Sequence, residues 1–153
     1  MIDQNNSADR EEELNQALEL LHFGFRALTA WPDERLEALG YSRVHHRVLH
    51  FVGRHRGVSV GELLEILGVS KQYLHRPVKR LIADGYLETQ PDENDGRVKR
   101  LRLSERGEAL QGELGGDQRR RLQAVFEQVG EDGEAGWRAV MQALAQSRLA
   151  KPS

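Results

Sequence analysis

Residues 59–107 read SVGELLEILGVSKQYLHRPVKRLIADGYLETQPDENDGRVKRLRLSERG, and the punctuation of that stretch lays out two helices, a tight turn and a hairpin. Ser59-Val60-Gly61-Glu62 has the form of a capping box, the hydroxyl accepting from the Glu62 amide while the Glu62 side chain reaches back. The helix it opens, Val60–Leu67, carries Leu63, Leu64, Ile66 and Leu67 and stops at Gly68. After Gly68-Val69, Ser70 starts a second helix with Leu74, Val78, Leu81 and Ile82 on one face, closed by Asp84-Gly85. Two helices joined by so short a glycine-containing turn make a helix-turn-helix. Leu87–Gln90 then reads as a strand, and Val98–Leu103 alternates so that Leu101 and Leu103 share a face. The six residues Pro91-Asp92-Glu93-Asn94-Asp95-Gly96 between them are dense in turn formers. A hairpin placed here is a wing, and its second arm, Arg97 to Arg102, holds four cations. A solvated edge strand defended by charge looks the same in isolation. Helix-turn-helix, wing and cations in direct succession favour contact with a polyanion.

Working outward, Ser42 caps a helix to about Arg54 with Val44, Val48, Leu49 and Val52 facing inward. Upstream, Leu14, Leu18, Leu21, Phe25 and Leu28 recur in steps of four and three, one stripe along a helix. Asp9 and Glu12 suit its start, and Trp31-Pro32 is expected to end it, because a residue before proline is pushed out of the helical region. A short helical piece over Asp33–Leu39, closed by Gly40, follows. Downstream, Ser104 caps a helix to about Val129 with Leu110, Leu114, Leu122 and Phe126 apolar. Each glycine inside it costs about 1 kcal/mol relative to alanine, so a kink is expected near Gly115-Gly116. A final helix, Glu134–Leu149, is marked by Trp137, Val140, Met141 and Leu144.

The first stripe suits packing within its own domain and a seam with a partner helix equally. Neither end segment readily supports a fold of its own, which favours docking across two chains through Leu14, Leu18, Leu21, Phe25, Leu122, Phe126, Trp137, Met141 and Leu144. The expected architecture is mainly α, an α+β winged helix-turn-helix over 41–107. A dimerisation helix and linker over 1–40 and dimerisation helices over 108–153 would interleave into one lobe.

Composition narrows the function. The 153 residues are 39% hydrophobic and 30% charged, too apolar for disorder and too polar for a membrane protein. No run reaches the roughly 18 apolar residues of a spanning helix, and the N-terminus lacks the pattern of a signal peptide, so the expected location is the cytoplasm. With no cysteine, thiolate catalysis and sulfur-ligated zinc are excluded. No Walker A loop, nucleophile elbow or His-Glu-x-x-His occurs, so an enzyme is not expected and no cofactor is implied. The net charge of −2 hides a division: residues 42–107 hold 13 Lys/Arg against 8 Asp/Glu, a local +5, between acidic flanks. A basic middle between acidic ends suggests that the middle meets a polyanion, and with helix-turn-helix and wing inside it the expected polyanion is double-stranded DNA.

On the second helix, burial of Leu74 and Val78 points Lys71, Gln72, His75, Arg76 and Lys79 outward from the start at Ser70. Gln and Arg suit the edges of adenine and guanine in the major groove, while Lys79 and Arg80 suit phosphates, which fix register without reading sequence. Pro77 lacks an amide proton and its ring meets the carbonyl of Tyr73, so a kink is expected there. Arg97 suits the narrow minor groove of A·T-rich tracts, held by Asp95 two residues earlier, with Lys99 and Arg100 adding cations. His46 and His50 lie four apart on one helical face near His45 and His55, half of a zinc pair at best, since no Asp or Glu lies between Ser42 and Val60. Phe23, Phe25, Trp31, Tyr41 and His45 sit near the joint between lobes, as core or as the wall of a pocket for a small aromatic or lipophilic effector. A winged-helix module that docks proteins and a His-based metal-responsive regulator are the competing functions.

The order Glu62-Leu63, Gly68-Val69-Ser70, Leu81, Gly85-Tyr86-Leu87, Asp92-x-x-Asp95-x-Arg97 and Leu101-x-Leu103-Ser104-x-x-Gly107 resembles the MarR family of winged-helix transcriptional regulators. The resemblance implies a homodimer built from the terminal helices and a recognition helix in the major groove. It also implies a wing arginine in the minor groove, and in many members a response to small phenolic or other lipophilic ligands bound between the dimer and DNA lobes. A dimer calls for a pseudo-palindromic operator, and the expected function is a repressor released by a small molecule. Three positions depart from the family pattern. Gly96 replaces the first of two wing arginines, Thr89 stands where arginine is frequent, and Pro77 sits in the recognition helix.

Overall fold

The computed structural model describes residues 2–147. In chain order the elements are α1 (Ile2–Ala38), α2 (Arg43–Arg54), β1 (Val58–Ser59), α3 (Val60–Leu67), α4 (Lys71–Ala83), β2 (Leu87–Pro91), β3 (Lys99–Leu103) and α5 (Glu105–Ser147). The chain divides into two compact units, the first ending at Asp117 and the second beginning at Gln118. No helix among the described residues is long and apolar enough to cross a membrane.

The first unit is a winged helix. Its core is aliphatic: Leu36 of α1, Val48, Leu49 and Val52 of α2, Leu63 of α3, Leu74 and Leu81 of α4, and Leu101 of β3 are each no more than 1% exposed. The turn Gly68-Val69 joins α3 to α4, with Ser59 and Ser70 capping the two helices through the Glu62 and Tyr73 amides at 3.1 and 3.2 Å. β2 and β3 pair antiparallel with Leu87 opposite Leu103 and Pro91 opposite Lys99, the hairpin read from the sequence. β1 adds a third strand beside β3, Val58 facing Leu101. This strand was not anticipated; at two residues it carries no alternation, and it exists because β3 offers it a free edge.

The start of α5 is fixed by a contact that explains the Ser104-x-x-Gly107 spacing. The Ser104 hydroxyl accepts from the Gly107 amide at 3.0 Å and donates to the Gly85 carbonyl. A Cβ on Gly107 would lie 2.0 Å from the Tyr86 carbonyl oxygen, so only glycine fits.

Several expectations fail at prolines and glycines. α1 continues through Trp31-Pro32, absorbs the expected short piece Asp33–Leu39, and begins at Ile2, well before Asp9 and Glu12. Pro32 is fully buried, and core packing on both sides of it offsets the lost hydrogen bond. α4 likewise runs unbroken through Pro77, anchored by buried Leu74 before it and Val78 and Leu81 after it. The kink expected near Gly115-Gly116 is also absent: both glycines are buried within helix, where a bare backbone permits close packing. The break in α5 falls at Gly130 (φ 83°, ψ 175°), between the two helices expected to end at Val129 and start at Glu134. The expected end of the last helix at Leu149 lies outside the described residues.

In the second unit, Phe126 packs against Trp137 across the Gly130 break, ring centroids 5.4 Å apart, with the Arg138 guanidinium over Phe126. Val125, Val129, Trp137, Val140 and Leu144 remain largely exposed.

Candidate nucleic-acid interface

The α4 surface and the wing present two sets of cations with different freedom. Lys71, Gln72, His75, Arg76 and Lys79 are all exposed, while Leu74, Val78 and Leu81 hold the opposite face in the core. None of these five is drawn into a hydrogen bond or ion pair among the described residues, so their donors are available to a ligand. Ser70 serves as the cap of α4.

On the wing, Arg97 is the most open of the ion-paired side chains among the described residues, 94% exposed. Asp95 accepts from its backbone amide at 3.1 Å and from Nε at 3.2 Å, the restraint expected from their spacing. The hairpin tip is closed by Asp92 N–H to the Val98 carbonyl and Val98 N–H to the Asp95 carbonyl. Lys99 is exposed at the start of β3.

Two cations expected to face DNA are engaged within the fold. Arg100 donates to the Gly57 carbonyl at 3.2 Å, to Glu62 at 2.8 Å and to Asp92 at 3.4 Å. It ties the wing to the start of α3; these hydrogen bonds hold the Glu62 carboxyl below and the Arg100 guanidinium above their ordinary ranges. Arg80 turns back from α4 to the Gly40 carbonyl and lies over the Tyr41 ring. Gly40, Gly57 and Glu62 are about 40 residues distant in sequence from the arginines they meet, beyond the reach of local pattern. Sequence reasoning also missed Arg106, which donates to the Asp84 carbonyl at 2.9 Å and covers the Tyr86 ring.

The residues expected to line an effector pocket divide. Tyr41 and His45 come together, centroids 4.6 Å apart, but Tyr41 is only 7% exposed and its hydroxyl donates to Asp84. They are core. Burial lowers the affinity of His45 for a proton, with Arg80 adding to the effect. Trp31 packs half-buried against the same core, and Phe23 is exposed beside His22. An open cleft of about 500 Å³ lies next to this cluster, lined by Asp33, Glu37, Tyr41, Ser42, Arg43, Val44 and Tyr73. Among the histidines, His46 is buried and its proton affinity lowered first by desolvation and then by His50, while His55 stacks on Phe51. No three His, Asp or Glu side chains gather at metal-binding distance among the described residues.

Along α1, Leu14, Leu18, Leu21 and Phe25 are 46–67% exposed. In the second unit Leu122, Phe126 and Met141 are half-buried.

Residues 39–98 match the family model described as MarR family. The chain is 39% identical over 134 residues to the HTH-type transcriptional regulator PetP of Rhodobacter capsulatus, covering 88% of this chain and 81% of that protein. Its fold is similar to the crystal structure of a MarR family transcription regulator, with a TM-score of 0.78 at 22% identity over 95% of this chain and 98% of the other. It is also similar to Streptococcus pneumoniae FabT in complex with DNA, with a TM-score of 0.76 at 18% identity over 87% and 95% of the two chains. With the cap, turn and wing residues in place and this extent of identity, the chain belongs to the MarR family of winged-helix transcriptional regulators.

Proposed function

We propose that this DNA-binding transcriptional regulator is a cytoplasmic homodimeric repressor that grips a pseudo-palindromic operator, one winged helix per half-site. The observation that carries the reading is the free cationic face of α4 together with a 94% exposed Arg97 restrained by Asp95. Restraint before binding lowers the ordering cost when the guanidinium enters a groove. Gln72 and Arg76 have the donors to read base edges in the major groove, and Lys71, Lys79 and Lys99 neutralise phosphates. The apolar stripe left exposed along α1 and the apolar residues left exposed in the second unit each argue for a second copy, since exposed apolar patches mark interaction surfaces. Half-sites then lie about one helical turn, roughly 34–36 Å, apart. A repressor needs no further machinery, because a dimer seated across promoter DNA excludes polymerase.

A small aromatic effector suits the cleft beside Tyr41, which touches the end of α1, the start of α2 and Tyr73 of α4 at once. A ligand there shifts operator affinity only by its differential binding to the two states.

The test is Arg97→Ala. Operator affinity falls at least about tenfold, equivalent to about 1.4 kcal/mol, while sedimentation shows an unchanged dimer. Equal affinity at matched salt removes the wing from the interface.

A further inference from the structure

The last turn of α4 is bound to the α1–α2 joint by a closed ring of contacts. The Arg80 guanidinium donates to the Gly40 carbonyl, lies 4.5 Å over the Tyr41 ring and stands 3.6 Å from Asp84. The Tyr41 hydroxyl donates to the same Asp84 oxygen that faces Arg80. A Cβ on Gly40 (φ +76°) would come within 2.9 Å of Arg80 Nη2, so the guanidinium occupies space that any side chain at 40 would contest. Tyr41 is in turn held edge-on by Tyr86, 5.6 Å between centroids. Hydrogen bonds that involve a charged partner are the stronger kind, and two of the ring's contacts, Arg80 to Gly40 and Tyr41 to Asp84, are of that kind.

Its position gives it a role. Lys71, Gln72, His75 and Arg76 occupy the first two turns of the helix whose last turn the ring holds. A recognition group works only when placed within about 0.5 Å of its productive geometry, so tilting α4 at its far end spoils base contacts at its near end. α1, on the other side of the joint, carries the exposed stripe assigned to the dimer seam. We infer that Arg80, Tyr41 and Asp84 form a clasp that orients the reading helix against the seam-bearing helix, making Arg80 a positioning residue for operator recognition and not a phosphate contact. This rests on the homodimeric operator-binding reading above.

The experiment uses full-length protein, an operator duplex selected by the wild type from genomic fragments, and a scrambled duplex of equal length. Tyr41→Phe keeps the ring and removes only the hydroxyl; Arg80→Lys keeps the charge and loses the planar fork; Asp84→Asn keeps the shape. Circular dichroism at the assay temperature establishes that each is folded. Each of the three weakens operator binding about tenfold, within the range by which coupled elements alter one another's affinity. Scrambled-duplex affinity stays within about twofold, since phosphate attraction tolerates misplacement, and the salt slope is unchanged. Combining Tyr41→Phe with Asp84→Asn adds little to either alone, because both break one contact.

Three results overturn the clasp. Arg80→Lys binds like the wild type while Arg80→Gln lowers the salt slope by about 0.9 per protomer, the mark of a phosphate contact. Alternatively, folded Tyr41→Phe and Asp84→Asn both keep full operator affinity. Equal losses on both duplexes also overturn it, since a lost orientation affects only the sequence-specific term. A wild type that binds no duplex at low salt overturns the DNA reading itself and is thereby distinguished from these.

Discussion

The middle of the first unit and the N-terminal half of α1 obey opposite packing rules. From Leu36 to Leu114 every element contributes side chains to one dry core, whereas from Leu14 to Phe25 the apolar stripe of α1 lies about half open to water. Both have helical periodicity, so periodicity reports that a face is made to be buried and not where its partner is. The winged helix finds its partners within its own chain; for the stripe on α1, the homodimer proposed above supplies one.

The largest effect that sharpens this contrast is in the core. Leu81→Ala, at a position with no exposure, costs about 2–5 kcal/mol of stability through lost transfer energy and the cavity left behind. Chemical denaturation measures it, and the cost is independent of how the ends are partnered. Next comes the stripe. Leu18→Glu with Leu21→Glu leaves the winged helix folded but raises the dimer dissociation constant at least about a hundredfold, given about 1.5–3 kcal/mol for each buried leucine. Equilibrium sedimentation reads the constant, and the unfolding midpoint of this variant loses the dependence on protein concentration that a dimer shows. A stripe variant that stays dimeric breaks the comparison.

The smallest effect is acidic. Burial holds His45 and His46 below their ordinary value of 6.5, so the folded chain binds fewer protons than the unfolded chain. Stability therefore is complete above about pH 6.5 and falls as pH drops through the folded values. Thermal melts across that window show the decline, and replacing both histidines with glutamine flattens it; an equally steep decline in the double variant assigns it to other groups.

Where the chemistry was local, the sequence disclosed it. Ser59 and Ser70 cap the helices they precede, Gly68 turns the chain, and Asp95 restrains Arg97 from two residues away. The outward face of α4 followed from the buried spacing of Leu74, Val78 and Leu81. Features set at a distance stayed hidden. Pro32 ought to stop a helix by its neighbours alone, yet α1 passes it because the ring is buried in the core. β1 exists only beside β3. Arg80 and Arg100 look like any exposed cations until Gly40 and Glu62 arrive from some 40 residues upstream.

The bare backbone at Gly107 has a wider consequence. Since the Tyr86 oxygen already fills the place of a methyl group, even alanine there must pry the first turn of α5 away from the turn that joins α4 to β2. A change of one carbon, remote from any nucleotide, would thus be felt as a misaligned grip.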